Sequence, residues 1–155
     1  MTTTAGRLGR DELIAAVRRF NDAFNRVDLD GAVALFAEDA LYSTFEGRER
    51  RGRAAIRAEL APQFGGVYGR LSFVELDLYV DADAAKASLH WRCHHDLRVA
   101  AQRPLDDVRR RAWRVLYGRA IAWEGMDILH LDRERGLVVE KHTFAKAHLP
   151  RTRRG

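Results

Sequence analysis

The chain of 155 residues contains one cysteine, Cys93, and no long apolar run. A single cysteine cannot close a disulfide within the chain, which indicates a reducing compartment. No segment approaches the roughly 18 apolar residues of a membrane-spanning helix, and the first residues lack the apolar stretch of a secretory signal. From these absences we expect a cytoplasmic domain of ordinary size with no membrane partner.

Cofactor and nucleic-acid signatures are also missing. The sequence has no glycine-rich phosphate loop and no Ser-His-Asp order, so we expect no nucleotide, flavin or nicotinamide cofactor. The formal net charge is +5, but Arg151, Arg153 and Arg154 supply three of the positive charges from a short tail. Neither this tail nor the basic cluster at 109–111 alternates aromatic and basic residues as a base-stacking surface does. We therefore expect no nucleic-acid partner.

His90 and His94 are the residues that suggest a metal site. In a strand, residues four apart share a face but are separated by roughly 13 Å, which is too far to bind one ion. We therefore predict no metal. One of the two histidines is instead a candidate proton donor or acceptor.

The spacing of apolar residues changes halfway along the chain. Up to about residue 64 it is helical, and we expect three helices that begin at Asp11, Asp28 and Gly52, the third kinked or ended by Pro62. From Val67 onward apolar and polar residues alternate. This alternation predicts strands at about 74–80, 86–96, 119–131 and 137–147. A short extended piece at 40–45 lies between the second and third helices.

One segment between these strands returns to helical spacing. Its apolar residues are Leu105, Val108, Ala112, Val115 and Leu116, and they predict an inserted amphipathic helix near 104–117 that covers a cavity mouth or packs on a partner subunit. We divide the chain into a flexible N-terminus at 1–9, a single domain at 10–148 and a basic flexible tail at 149–155.

The strongest functional signal is a carboxylate at a core position. In the strand at 119–131, Asp127 falls on the same face as Trp123 and Leu129 under a two-residue period, with Gly125 between. A buried carboxylate without a partner is costly, so Asp127 should find a partner or keep its proton. Both outcomes suit a site that moves protons inside an apolar cavity.

Three helices followed by alternating strands, with FAEDALY after the second helix and GMDILHLDRERG in a late strand, resemble the nuclear transport factor 2-like superfamily. Its members include SnoaL-like polyketide cyclases, ketosteroid isomerases and limonene epoxide hydrolases. The resemblance spans about 10–147 apart from the 102–117 insertion. It implies an α+β fold, a cone-shaped curved antiparallel sheet wrapped around the N-terminal helices, and a homodimer through the outer face of that sheet.

The resemblance assigns roles residue by residue. Asp127 falls where ketosteroid isomerases hold an oxyanion-hole Asp, whereas their Tyr falls on Phe20 and their base on Thr44, so ordinary ketosteroid isomerisation is not expected. Tyr42 matches the water-holding Tyr of limonene epoxide hydrolases, and Thr44 stands in the position of their Asn. Their Arg-x-Asp pair lies near Arg92 and His94, and their remaining Asp falls on Thr143, two residues after Lys141. Dehydratases of the scytalone type suggest a pair of Asp127 with His90 or His94.

We therefore predict cofactor-independent acid/base chemistry on a small hydrophobic, oxygenated molecule, as an isomerase, cyclase, hydratase, dehydratase or epoxide hydrolase. The candidate catalytic residues are Asp127, His94, His90, Arg92 and Tyr42. The candidate substrate-binding residues are Thr44, Trp91, Trp123, Phe20, Lys141 and Thr143. Two alternatives stay open: a small-ligand-binding protein without turnover, and a protein-interaction module of the same fold.

Overall fold

The computed structural model describes residues 6–146. Within this range the chain forms four helices and six strands in the order α1 (Arg10–Asn25), α2 (Leu29–Ala34), β1 (Phe36–Ser43), β2 (Glu49–Arg51), α3 (Arg53–Phe64), β3 (Arg70–Asp81), β4 (Lys86–Asp96), α4 (Pro104–Tyr117), β5 (Ala120–Leu131) and β6 (Val138–Lys146). The predicted helices and long strands are all present. The short strand β2 was not predicted.

Local interactions explain where the helices begin. Asp28 Oδ1 accepts a hydrogen bond of 2.8 Å from the Gly31 amide and caps α2, as the sequence predicted. Gly52 precedes α3, also as predicted. The first helix differs, because Gly9 is its N-cap and Glu12 reaches back to the Gly9 amide at 2.7 Å. Asp11 therefore lies within the first turn of α1.

The six strands form one curved, unclosed sheet in the order β2-β1-β6-β5-β4-β3. β3 pairs with β4, β4 with β5 and β5 with β6, and each of these three pairs is antiparallel. β1 and β6, in contrast, run parallel. The α+β fold predicted from the resemblance is confirmed, but its sheet is mixed, since strand direction depends on which distant strands pair.

Two irregularities decide which side chains face inward. The pairing of β3 with β4 shifts between Glu75 and Asp77, so Val74 is exposed although Leu71 before it and Val80 after it are buried. The pairing of β5 with β6 shifts at Val139, which lets Val138 and Lys141 both point inward. A bulge reverses the alternation locally, and these two positions show the effect.

The core lies between the concave face of the sheet and the helices α1 to α3. α1 contributes Leu13, Val17, Phe20 and Phe24, which are all buried at helical spacing. Among the described residues no helix is long and apolar enough to cross a membrane.

The predicted termini are covered only in part. Of the N-terminal segment at 1–9 the structure describes residues 6–9, where the Leu8 amide donates a 2.9 Å hydrogen bond to the Arg133 carbonyl. The tail at 149–155, with Arg151, Arg153 and Arg154, lies outside the described residues.

Candidate functional site

A cavity of about 460 Å³ lies between the concave face of the sheet and the helices α1 and α3. Most of its wall is apolar and aromatic, formed by Phe20, Phe24, Phe73, Leu89, Trp91 and Trp123. Gly125 makes room for one of these rings, because a Cβ there would lie 2.4 Å from the Trp91 indole and 2.5 Å from the Phe144 carbonyl. The wall therefore suits a small hydrophobic molecule.

A polar cluster of Asp127, Lys141 and Thr143 stands out against this apolar wall. Lys141 Nζ and Thr143 Oγ1 each lie 2.7 Å from Asp127 Oδ1, and Lys141 also donates to Thr143. Asp127 and Lys141 are each only 5% exposed. Because β5 and β6 pair antiparallel with Asp127 opposite Thr143, the three side chains share one face. The cluster is a buried, hydrogen-bonded ion pair.

The two carboxylate oxygens of Asp127 differ in their hydrogen bonding. Both donors converge on Oδ1, and no group within residues 6–146 donates to Oδ2. Oδ2 is not fully buried, and Asp127 lines the cavity. One oxygen is therefore held in place while the other is available to a bound molecule.

Tyr42 of β1 completes this end of the cavity. Its ring lies under the Lys141 ammonium, with Nζ 4.7 Å from the ring centroid, a favourable cation–π contact. Thr44, on the same face of the chain, is engaged in the turn after β1, where its hydroxyl accepts a 3.2 Å hydrogen bond from the Arg48 amide.

A second buried group, His95, lies further along β4. Trp123 Nε1 donates to His95 Nε2 at 3.0 Å, so this nitrogen carries a lone pair and the proton resides on Nδ1. Burial lowers the pKa of His95 to about 4, although the Tyr68 backbone partly opposes the shift. His95 is therefore a neutral imidazole at pH 7.

His95 and Asp127 do not meet. Leu89 pairs with Asp127 across β4 and β5, and His95 is six residues further along β4. At about 3.3 Å per residue, this places His95 roughly 20 Å along the strand from that pair. The cavity thus has an ionic end at Asp127 and a neutral polar end at His95.

Cys93 also lines the cavity, between these two ends. Burial raises the pKa of its thiol far above the usual value. A thiol that keeps its proton is a poor nucleophile, so covalent thiol chemistry is not favoured here.

The cavity rim carries a small ionic network. Arg48 and Arg50 bind the two oxygens of Glu59 at 2.7 and 2.8 Å. Burial raises the pKa of Glu59, but the hydrogen bonds from both arginines outweigh it and lower the pKa overall. Trp113 of α4 lines the cavity nearby, so the inserted helix contributes to its wall.

The structure places eight of the eleven predicted site residues on the cavity wall: Asp127, Tyr42, Thr44, Trp91, Trp123, Phe20, Lys141 and Thr143. His90, Arg92 and His94 instead project from the other face of β4, because they alternate with the buried Leu89, Trp91 and Cys93. His90 bonds Glu124 at 2.8 Å and Asp77 at 3.3 Å, and these two hydrogen bonds raise its pKa. Arg92 pairs with Glu124 and not with Asp127.

His95 was not among the predicted site residues, although the sequence contains the signal. The two-residue period that places Leu89, Trp91 and Cys93 inward extends by one step to His95. Among residues 6–146 no group of three His, Cys, Asp or Glu side chains is arranged to hold a metal ion.

The family model of the SnoaL-like domain matches residues 17–141. The chain belongs to the SnoaL-like domain family. This confirms the resemblance drawn from FAEDALY and GMDILHLDRERG, and it covers every cavity element from α1 to the first half of β6.

Solved structures share the fold of this SnoaL-like protein at low sequence identity. A protein of unknown function with a cystatin-like fold from Methylobium petroleophilum PM1 is 19% identical, with a TM-score of 0.65 over 95% of this chain and 84% of that one. The epoxide hydrolase/cyclase-like enzyme SalBIII, described in pyran ring formation of salinomycin, is 16% identical, with a TM-score of 0.66 over 87% and 91%. A candidate polyketide cyclase from Xanthomonas campestris pv. campestris is 19% identical, with a TM-score of 0.65 over 87% and 90%.

Proposed function

We propose that this SnoaL-like protein is a cofactor-independent acid/base enzyme of the isomerase or cyclase type. Its substrate is a small hydrophobic molecule that bears a carbonyl, hydroxyl or epoxide oxygen. The observation that carries the proposal is the arrangement of Asp127, which has one oxygen held by Lys141 and Thr143 and the other facing an apolar cavity.

In this proposal Asp127 removes a proton from the substrate through Oδ2. A carboxylate whose position is fixed by two donors is preorganised for proton transfer. The apolar wall excludes water, which strengthens every electrostatic interaction inside the cavity.

Lys141 stabilises the charge that this step creates. When Asp127 takes up a proton, the ammonium 2.7 Å away loses its counter-ion. The negative charge then resides on the substrate oxygen, and Lys141 is the cation available to it. The buried site keeps the same total charge throughout, so the step carries no additional cost of burying an ion.

The remaining cavity groups orient the substrate. Among residues 6–146 the Tyr42 hydroxyl makes no hydrogen bond, so it is available to a substrate oxygen or to an attacking water. At the far end, His95 and Trp123 form a neutral polar surface for a second polar group of a longer substrate. His95 lies roughly 20 Å along the strand from Asp127, which is too far for it to protonate the same reacting centre.

The relatives support the same reaction class. SalBIII is described as epoxide hydrolase/cyclase-like and the Xanthomonas campestris protein as a candidate polyketide cyclase. Ring closure, isomerisation and epoxide opening all require proton transfer beside a stabilised oxygen anion.

The test compares Asp127→Asn with the native chain on a panel of small hydrophobic ketones and epoxides. Asparagine keeps the shape of the side chain but cannot accept the proton, so we expect turnover to fall by at least about 10²-fold. Binding, followed by quenching of tryptophan fluorescence, should change only a few-fold. Asp77→Asn is the matched control, because Asp77 is an exposed carboxylate of β3. Turnover that survives Asp127→Asn refutes the role of Asp127, and tight binding without turnover in the native chain indicates a binding protein.

We also propose that the protein is a cytoplasmic homodimer that associates through the outer face of its sheet. Met126 and Phe144 are cross-strand neighbours on that face, and both are exposed. Adjacent exposed apolar side chains on a sheet favour burial against a second copy.

A further inference from the structure

The inserted helix α4 is amphipathic, but its faces are reversed. Four of its apolar side chains are exposed, Leu105 at 64%, Val108 at 63%, Val115 at 86% and Leu116 at 73%, whereas its one buried residue is Arg110 at 4%. The four recur at spacings of three, seven and one residues, which places them along one side of the helix. They form a continuous ridge, the α4 ridge, that the rest of the described chain leaves uncovered.

Polar and aromatic contacts hold the opposite face of α4 against the domain. Arg110 donates to the Leu97 carbonyl and to Asp107, the latter at 2.8 Å. Asp107 in turn accepts a 3.1 Å hydrogen bond from the Ala101 amide, and Trp113 packs edge-on against Tyr68. These contacts fix the orientation of the helix. The ridge cannot turn inward without breaking the hydrogen bonds from Arg110 to the Leu97 carbonyl and from the Ala101 amide to Asp107.

The ridge is set in a strongly basic segment. Residues 98–119 contain seven arginines and two aspartates, a formal charge of +5 that equals the net charge of the whole chain. Both aspartates are already paired, Asp106 with Arg109 and Asp107 with Arg110 and Arg111. Within residues 6–146, Arg103, Arg114 and Arg119 form no ion pair.

This combination of charge and apolar surface restricts what can cover the ridge. A second copy would bring two arginine-rich surfaces together, and the carboxylates on both are already occupied, so like charges would repel. The tail at 149–155 carries Arg151, Arg153 and Arg154 and is also basic. A nucleic acid would satisfy the arginines but would not bury the apolar side chains.

We propose that the α4 ridge docks the protein on an anionic lipid surface. An anionic bilayer offers phosphate and carboxylate groups to the arginines and an apolar interior to the ridge. A basic amphipathic helix that lies in the plane of the interface inserts its apolar face at the boundary between headgroups and acyl chains. This docking is independent of the proposed reaction, because it uses the face of α4 that points away from the cavity.

The experiment is cosedimentation of the full chain with two kinds of vesicle, phosphatidylcholine alone and phosphatidylcholine with an equal part of phosphatidylserine. We expect the protein to bind the second kind and to be released by salt. The variant Val115→Ser with Leu116→Ser removes half of the ridge, and Arg114→Gln with Arg119→Gln removes two of the three unpaired charges. Each double variant should lower the partition coefficient by at least about tenfold.

A matched control replaces exposed apolar residues elsewhere. Val74→Ser with Tyr79→Ser alters two exposed side chains of β3, and it should bind vesicles as the native chain does. All of these positions are exposed, so the variants should fold, which circular dichroism checks. The proposal is overturned if the native chain binds neither vesicle, if the control loses as much binding as the ridge variant, or if Val115→Ser with Leu116→Ser converts a dimer to a monomer without changing vesicle binding.

Discussion

Replacing Lys141 with methionine should expose the cost of the buried carboxylate beside it. Asp127 and Lys141 are each 5% exposed and lie 2.7 Å apart. Removing one member of a buried ion pair leaves the other charge uncompensated, which typically costs roughly 3–5 kcal/mol. A domain of this size has only about 5–15 kcal/mol of stability, so the loss takes up a large share of it.

The assay is urea unfolding of the native chain, Lys141→Met, Asp127→Leu and the double variant. The double variant should recover most of the loss, because no uncompensated charge remains. Arg18→Met is the control, since Arg18 and Glu75 form an exposed pair at 3.0 Å. Water screens such a pair, so its removal should cost far less than removal of the buried one. The reasoning is refuted if Lys141→Met costs no more than Arg18→Met.

Three further predictions concern other parts of the fold. Burial lowers the pKa of His95 from 6.5 to about 4, so between these pH values only the unfolded state takes up a proton. The free energy of unfolding of the native chain should therefore fall by about 2 kcal/mol between pH 7 and pH 5, and that of His95→Gln should not. Equal decreases for the two proteins in urea unfolding would contradict this. Gly125→Ala should destabilise the fold by at least about 1–3 kcal/mol, since its Cβ would overlap the Trp91 ring; Gly6→Ala, which meets nothing within 4 Å, is the control in thermal unfolding. If the outer face of the sheet forms the dimer, Phe144→Lys should yield monomers by light scattering, and an unchanged mass would exclude that interface.

Much of the site was predictable because strand alternation is a local property. Asp127 shares its face with Trp123 and Leu129. The structure buries Asp127 and Leu129 on the concave side of the sheet and half-buries Trp123 there. The same reasoning, carried one residue beyond His94, would have identified His95. The periodicity also placed His90 and Arg92 on the face opposite Trp91, although the resemblance to known enzymes favoured them as site residues.

The partner of Asp127 was not predictable in the same way. Lys141 is fourteen residues away on the next strand, and a bulge at Val139 separates it from the regular alternation that begins at Val138. A one-residue change of register moves every later side chain to the other face. Only the pairing of β5 with β6 decides that this lysine enters the cavity.

Spacing within single segments was enough to predict the order and type of every element except β2, the starts of α2 and α3, and the carboxylate in the core. The parallel pairing of β1 with β6, the ion pair of Asp127 with Lys141 and the outward turn of the α4 ridge depend on contacts between distant segments. The physical reason is that periodicity identifies the two faces of a segment. Which face is buried depends on distant groups such as the Leu97 carbonyl, which binds Arg110 and fixes the orientation of α4.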